Sequence, residues 1–159
     1  MITVVSLQRT TFACPAQFEA ITTDGDYVYI RYRHGNLSVR KSPTKLDGPE
    51  TVVYSGNDGT QNGCLELDDL KKTLLGKVRF ACHHKINQNG TCPDFKFFQR
   101  CYGPVFYRAA SIERGLEVIN FQKDEIIWGY FTTVDDKTYF TMGDGTTIFN
   151  INIGDYKFL

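Results

Sequence analysis

The sequence lacks the features that would make it a membrane, fibrous or disordered protein. No run approaches the roughly 18 uncharged apolar residues of a membrane-spanning helix. There are no internal repeats, heptads or low-complexity tracts. The charge is also balanced, with 18 Lys+Arg against 18 Asp+Glu, which excludes a simple polycation of the kind that coats nucleic acid. What remains is ordinary globular composition with an aromatic excess, and 159 residues predict one globular domain over residues 1–159.

The N-terminal segment predicts a cytoplasmic protein. It has no basic start, no long apolar stretch and no small-residue cleavage site, so it does not resemble a signal peptide. In a reducing cytosol the expected state of cysteine is the free thiol. The five cysteines are odd in number and irregularly spaced, which agrees with that expectation: Cys14, Cys64, Cys82, Cys92 and Cys101.

Short runs of Val, Ile, Thr, Tyr and Phe alternate with Asn-Gly and Asp-Gly turn signals, which indicates antiparallel strands. We predict a β-rich α+β domain built on two meanders, at residues 17–41 and 126–153. The last strand of the second meander is expected over residues 146–153. One short helix is predicted near residues 67–75, with Gly76 as its stop. A second helix over residues 109–115 is the weaker alternative, because Gly115 interrupts it.

The zero net charge conceals a strong segregation of charge. Residues 27–46 contain five basic residues and no acid, and residues 71–112 contain eight basic residues and one acid. These two segments hold 13 of the 18 basic residues and one of the 18 acids. Segregation of this kind predicts a positive surface that attracts anions.

The first basic segment predicts a hairpin with one apolar and one basic face. A turn at Gly35-Asn36 would put Arg31 directly opposite Arg40, a destabilising pair of like charges. Val28, Ile30, Tyr32, Leu37 and Val39 then share the core face, and the opposite face carries the basic and aromatic side chains: Tyr27, Tyr29, Arg31, Arg33, Ser38 and Arg40.

Two explanations of the basic face remain open at this stage. An internal carboxylate, such as Glu19 on the neighbouring strand, would neutralise Arg31 and Arg40. Alternatively, an external anion would bind the guanidinium groups and stack on Tyr27 and Tyr29.

The second basic segment interleaves aromatics with Lys96, Arg100 and Arg108. This pattern suits single-stranded nucleic acid and interface hot spots equally. Most of these aromatics are expected to be core residues, and so is Trp128 in a later strand.

A metal site and thiol catalysis are the weaker functional hypotheses for this sequence. Cys82, His84, Cys92 and Cys101 include the ligand types of a zinc site, but their spacing matches no standard zinc motif. The expectation is therefore no cofactor, with zinc as the alternative.

The sequence thus predicts a small non-enzymatic binding or inhibitor-type protein. Its partner would be an acidic or nucleic-acid-mimicking protein surface, engaged by Tyr27, Tyr29, Arg31, Arg33, Arg40, Lys96, Arg100 and Arg108. Direct binding of nucleic acid or a nucleotide is the first alternative. A metal- or thiol-dependent hydrolase is the second, and no membrane is expected as a partner.

Overall fold

The computed structural model describes residues 1–11, 13–45, 48–81 and 94–159, and these residues form two β-sheets and one short helix. The elements in chain order are β1 (Ile2–Thr11), β2 (Ala16–Thr22), β3 (Tyr27–Arg33), β4 (Asn36–Ser42), β5 (Thr51–Asn57), α1 (Leu67–Thr73), β6 (Val78–Phe80), β7 (Lys96–Arg100), β8 (Val105–Ser111), β9 (Gly115–Phe121), β10 (Ile126–Val134), β11 (Lys137–Met142), β12 (Thr147–Ile148) and β13 (Tyr156–Phe158). Sheet A has the strand order β5-β4-β3-β2-β1-β6, and sheet B has the order β13-β7-β10-β11-β12-β8-β9.

The predicted antiparallel, β-rich architecture is confirmed, and the helical content is smaller than an α+β label suggests. Neighbouring strands pair antiparallel throughout both sheets, except that β1 and β6 pair parallel. The predicted helix is present as α1, with Asp68 and Asp69 in its first turn. The alternative helix at residues 109–115 is wrong, because this segment contains the end of β8, a turn and the start of β9.

The inner face of sheet A packs against α1. Alternating residues of β3 and β4 point to this side, and the five residues predicted for the core face of the hairpin are all buried in one cluster. Leu70 of α1 and Leu74, the C-cap residue of α1, belong to the same cluster and are fully buried. The period-two alternation in the sequence therefore identifies the inner face correctly.

The outer face of sheet A is covered by sheet B at one end only. Ile21 and Tyr27, at that end of β2 and β3, share a buried cluster with Ala110, Tyr139 and Phe149 of the sheet B region. Strand β3 then runs out from this contact toward the β3–β4 turn. The rest of the outer face, which carries Arg31 and Arg33, is not covered by sheet B in the described structure, and we call it the open half.

Sheet B builds a core of its own. Side chains from all seven of its strands meet in one cluster, including Phe98, Phe121, Phe140 and Tyr156. A single sheet can enclose such a cluster only by curving, which the right-handed twist of β-strands promotes. The cluster shared with sheet A joins the two sheets, and the organisation of residues 1–159 as one domain remains a prediction.

The register of the β3–β4 hairpin differs from the predicted one. The turn residues are His34 and Gly35, with φ of 50° and 75°, as a two-residue type I′ turn requires. Arg31 therefore pairs with Ser38, and Tyr29 pairs with Arg40. The predicted Arg31–Arg40 pair is wrong by two residues, and a shift of two leaves every side chain on its predicted face.

The expectation of free thiols throughout is also wrong. Cys14 and Cys64 form a disulfide, with 5.1 Å between their Cα atoms. Cys101 has a free thiol. Cys82, Cys92 and His84 lie outside the described residues.

Two further expectations fail in the sheet B region. The last strand of the second meander covers only Thr147–Ile148, because Asn150 adopts a left-handed φ of 51° and ends the extended run. Trp128 is 36% exposed on the surface of sheet B and is not a core residue. Among the described residues, no helix is long and apolar enough to cross a membrane.

Candidate functional site

The open half of the outer face of sheet A is organised around Arg31. Successive cross-strand pairs form a row across five strands, consisting of Thr11, Gln17, Arg31, Ser38 and Ser55. Every member has a side chain capable of hydrogen bonding. The Thr11 hydroxyl donates to Gln17 Oε1 over 3.1 Å. We call this set the Arg31 row.

A second row, the Arg33 row, lies next to it at the hairpin end. It consists of Arg33, Asn36 and Asn57, and Asn57 Nδ2 donates to Asn36 Oδ1 over 2.7 Å. The side chains of Arg31, Arg33, Asn36 and Ser38, with His34, line an open depression of about 420 Å³. Two cations and several neutral polar groups thus surround one recess.

Neither cation of this recess is neutralised by the part of the chain that the structure describes. Among those residues, no carboxylate lies within 4.0 Å of the Arg31 or Arg33 guanidinium. Arg31 Nε is buried without a hydrogen-bond partner there, and Arg33 Nε donates to His34 Nε2 over 3.1 Å. A buried donor that lacks an acceptor costs free energy until something supplies one.

The next row toward sheet B contains Tyr29 and Arg40, and the charge of Arg40 is neutralised by an acid of the same chain. Arg40 Nη1 lies 3.1 Å from Glu50 Oε2. Glu19, the neutralising group suggested by the sequence, instead binds Lys45 at 2.9 Å. Within the described ranges, the internal-carboxylate explanation therefore holds for Arg40 and does not hold for Arg31.

The hairpin turn is held by the segment that follows β5. Gly35 N donates to Asn62 O over 2.8 Å, and Asp58 N donates to Gly35 O over 3.0 Å. The Tyr32 hydroxyl donates to Asp58 Oδ2 over 2.5 Å, and this bond, followed by those from Thr60, lowers the pKa of Asp58. A Cβ at Gly35 would collide with the backbone oxygen of Thr60, so only glycine fits.

The disulfide secures the same segment. Cys64 follows Asn62 and Gly63 closely, and the bond ties it to Cys14 beside the start of β2. Ala16 N also donates to Gly63 O over 2.8 Å. The recess is therefore built on strands and on a cross-linked segment, so little ordering would accompany binding.

The two predicted tyrosines are not equally accessible. Tyr27 is buried at the contact between the sheets, where burial and then the negative charge of Glu19 raise its pKa. Tyr29 is half-buried and packs against the same cluster. Tyr27 therefore cannot stack on an external ligand, which corrects that part of the sequence-based hypothesis.

Lys96, Arg100 and Arg108, the candidate binding residues of the second segment, lie on sheet B, away from the recess. Arg100 is only 4% exposed, and its Nη1 lies 3.3 Å from the Tyr156 hydroxyl and 3.9 Å from Asp155. Arg108 lies over the Phe149 ring at 5.7 Å. Lys96 is exposed at the start of β7. Among the described residues, these three therefore do not continue the positive surface of Arg31 and Arg33 on sheet A.

An aromatic cluster on sheet B was missed by the sequence analysis. The rings of Phe95 and Phe97 lie 4.9 Å and 6.1 Å from that of Trp128, and Phe97 is 55% exposed. Alternation places Phe95 and Phe97 on one face, but it does not indicate which face of sheet B is covered.

The described residues contain no group of three or more His, Cys, Asp or Glu side chains that could hold a metal ion. The zinc alternative was built on Cys82, His84 and Cys92 together with Cys101. Only Cys101 falls within the described part of the chain, so the alternative stays untested.

These features define a two-sheet β protein with a basic polar recess on an open sheet face. No family model, no curated protein and no solved structure matches the chain.

Proposed function

We propose that this is a non-enzymatic binding protein that engages the acidic surface of a partner protein through the recess around Arg31 and Arg33. One observation carries the proposal: two neighbouring arginines lack any carboxylate among the described residues, whereas Arg40 on the same face has one. Guanidinium groups bind carboxylates through paired hydrogen bonds, so an acidic side chain is the natural counterpart.

Spacing supports carboxylates on an extended segment of the partner. Arg31 and Arg33 are two residues apart on one strand, so they are separated by about 7 Å. An extended acidic segment repeats its side chains at the same interval. Gln17, Ser38 and Asn36 would supply neutral hydrogen-bonding groups at the rim, which give orientation more than affinity.

Direct binding of nucleic acid is the second candidate, and it has its own supporting observation. Phe97 and Trp128 form an exposed aromatic pair on sheet B. Stacking of bases on such rings is a usual mode of binding for single strands. It ranks second because, within the described ranges, Arg31 and Arg33 lie on sheet A and Lys96, Arg100 and Arg108 on sheet B, which gives no continuous track for a phosphate backbone.

A capture experiment with matched variants tests the proposal. Tagged wild-type protein and Arg31→Glu/Arg33→Glu would be used as baits in lysate of the native cell, with Arg40→Glu/Lys41→Glu as the control for equal charge reversal on the same hairpin. We expect one acidic protein to bind the wild type and the control, and to lose at least about tenfold in affinity, or about 1.4 kcal/mol, on the first variant.

Two results would count against the proposal. Equal capture of the partner by both variants would show that the recess is not part of the interface. Loss of capture after nuclease treatment, with binding that weakens steeply with salt and depends on Trp128, would favour the nucleic-acid alternative. A hydrolase remains the third and untested candidate.

Location forms part of the proposal. The sequence predicts a cytoplasmic protein, but disulfides form and persist mainly in oxidising compartments. The Cys14–Cys64 bond therefore weighs against the cytosol. Alkylation of protein isolated from its native cell, with mass spectrometry of the Cys14 and Cys64 peptides, decides between the two: labelled thiols support the cytoplasm, and a retained bond opposes it.

A further inference from the structure

A second polar cavity lies where the two sheets meet, away from the Arg31 recess. It has a volume of about 200 Å³. Its lining includes the buried rings of Tyr139 and Phe149, which pack edge-to-face with centroids 5.6 Å apart. Asp24, in the turn after β2, contributes an acidic group from sheet A. Arg108 and Lys137 contribute two basic groups from sheet B.

The charges around this cavity do not satisfy one another. Within the described part of the chain, Asp24, Arg108 and Lys137 form no ion pair at 4.0 Å or less. The Arg108 guanidinium lies over the Phe149 ring at 5.7 Å. Opposite charges that line one cavity without touching leave space between them for a ligand that has both signs of charge.

The cavity also offers neutral hydrogen-bonding groups. Asn150 lines it from a left-handed backbone position, φ 51°. The Tyr139 hydroxyl is one of these groups, and burial, followed by the nearby Asp24 and Asp135 charges, raises its pKa above the usual value for tyrosine. Asp135 itself lies 3.5 Å from Arg79. Asp24 is therefore the acid that lines the cavity without a basic partner among the residues described.

The volume limits the ligand to a small molecule. Water occupies about 30 Å³ per molecule in the liquid, so a cavity of about 200 Å³ has room for about seven non-hydrogen atoms. Pockets for drug-sized ligands are larger, roughly 300–1,000 Å³. A simple anion would leave Asp24 without a counterpart, and a simple cation would meet the repulsion of Arg108 and Lys137.

We propose that this cavity binds a small free α-amino acid as its zwitterion, with the carboxylate at Arg108 and Lys137 and the ammonium group at Asp24. A short side chain packs on the rings of Tyr139 and Phe149. The site is independent of the Arg31 recess, so either proposal can fail without the other.

Calorimetric titration of the intact protein tests the proposal with defined probes. The probes are glycine, L-alanine and L-serine, together with propionate and ethylamine, which each lack one charge of alanine. We expect saturable binding of at least one amino acid, and binding at least about tenfold weaker for both analogues, a loss of about 1.4 kcal/mol. Equal affinity for alanine and propionate, or no saturation by any amino acid at about 10 mM, would overturn the proposal.

Variants separate the two charged ends of the ligand. Asp24→Asn keeps a turn-forming residue before Gly25, and it should weaken alanine binding while leaving propionate unchanged or tighter. Arg108→Gln should weaken alanine and propionate together. Lys123→Gln, outside the cavity, is the control, and thermal unfolding of each variant checks the fold. If Asp24→Asn weakens neither probe, or if Lys123→Gln weakens alanine as much as Arg108→Gln does, the assignment is wrong.

Discussion

Neighbouring rows on the outer face of sheet A differ in whether their arginine has an acidic partner among the described residues. Arg40 has an acidic partner, since Glu50, just before β5, is 3.1 Å away, while Arg31 and Arg33 lie in rows with neutral polar neighbours. The open rows are also the ones held by the cross-linked segment around Cys64. The contrast shows that basic residues of one hairpin can have separate roles: Arg40 contributes to internal charge balance, and Arg31 and Arg33 leave their charge available.

The largest effect on stability is expected from removing the Cys14–Cys64 disulfide, which secures the segment beside the Arg31 and Arg33 rows. The bond closes a loop with a sequence separation of 50 residues. The double substitution Cys14→Ser/Cys64→Ser should lower the free energy of unfolding by about 4 kcal/mol, because the unfolded chain gains the entropy of that loop. Urea denaturation measures the loss. Amide hydrogen exchange should accelerate around Gly35 more than around Arg40. Equal acceleration at both sites would mean that the disulfide does not hold the Gly35 turn selectively.

A second test disturbs the turn itself, with a matched glycine as control. Gly35 and Gly59 both have positive φ, 75° and 79°, but a Cβ added at Gly35 would meet Thr60 O, whereas one added at Gly59 would point into open space. Gly35→Ala should cost about 3 kcal/mol, from the left-handed backbone together with the steric clash, and Gly59→Ala only about 1 kcal/mol. Similar denaturation midpoints for the two variants would mean that the following segment does not hold the turn tightly.

The third test uses acid to weaken the same contact. The Tyr32 hydroxyl holds the pKa of Asp58 below its usual value. A depressed carboxyl pKa stabilises the fold above the unfolded-state value, and that contribution disappears as the pH falls through the folded-state value. Tyr32→Phe should therefore be less stable than wild type at neutral pH, and the difference should shrink below about pH 4. A difference that is constant with pH would contradict this role for Asp58.

The smallest expected effect is a difference in stability between substitutions of the paired Arg40 and of Arg31. Arg40→Gln should lower the free energy of unfolding by about 0.5 kcal/mol at low salt, because an exposed ion pair is lost. Arg31→Gln should leave it unchanged or raise it slightly, since it removes a buried donor that finds no acceptor among the described residues. Parallel thermal melts at low and high salt provide the measurement. Equal destabilisation by both variants would show that Arg31 has a structural partner of its own.

Local pattern predicted part of this fold well. The predicted meander ranges, residues 17–41 and 126–153, contain antiparallel strands, and the alternation of β3 and β4 separates buried from exposed side chains correctly. The register was missed because His34, a residue with a side chain, occupies a left-handed turn position that the prediction reserved for glycine.

Long-range contacts account for the rest of what the sequence analysis missed. The pairing of Cys14 with Cys64 depends on two segments that meet only in the folded sheet. Whether Arg40 or Arg31 finds a carboxylate depends on where Glu50 and Glu19 lie, which no local pattern specifies. The exposure of Trp128 depends on which face of sheet B curves inward.

The two-residue difference between the expected and observed hairpin registers has an evolutionary consequence. A change of turn that moves the register by two keeps every apolar side chain in the core, yet it gives each arginine a new neighbour. Substitutions at His34 that shift the turn could thus redistribute charge over this surface while preserving its hydrophobic packing, whereas Gly35 accepts no side chain in the present register. The turn is a position from which such a protein can change its pattern of surface charge without rebuilding its fold.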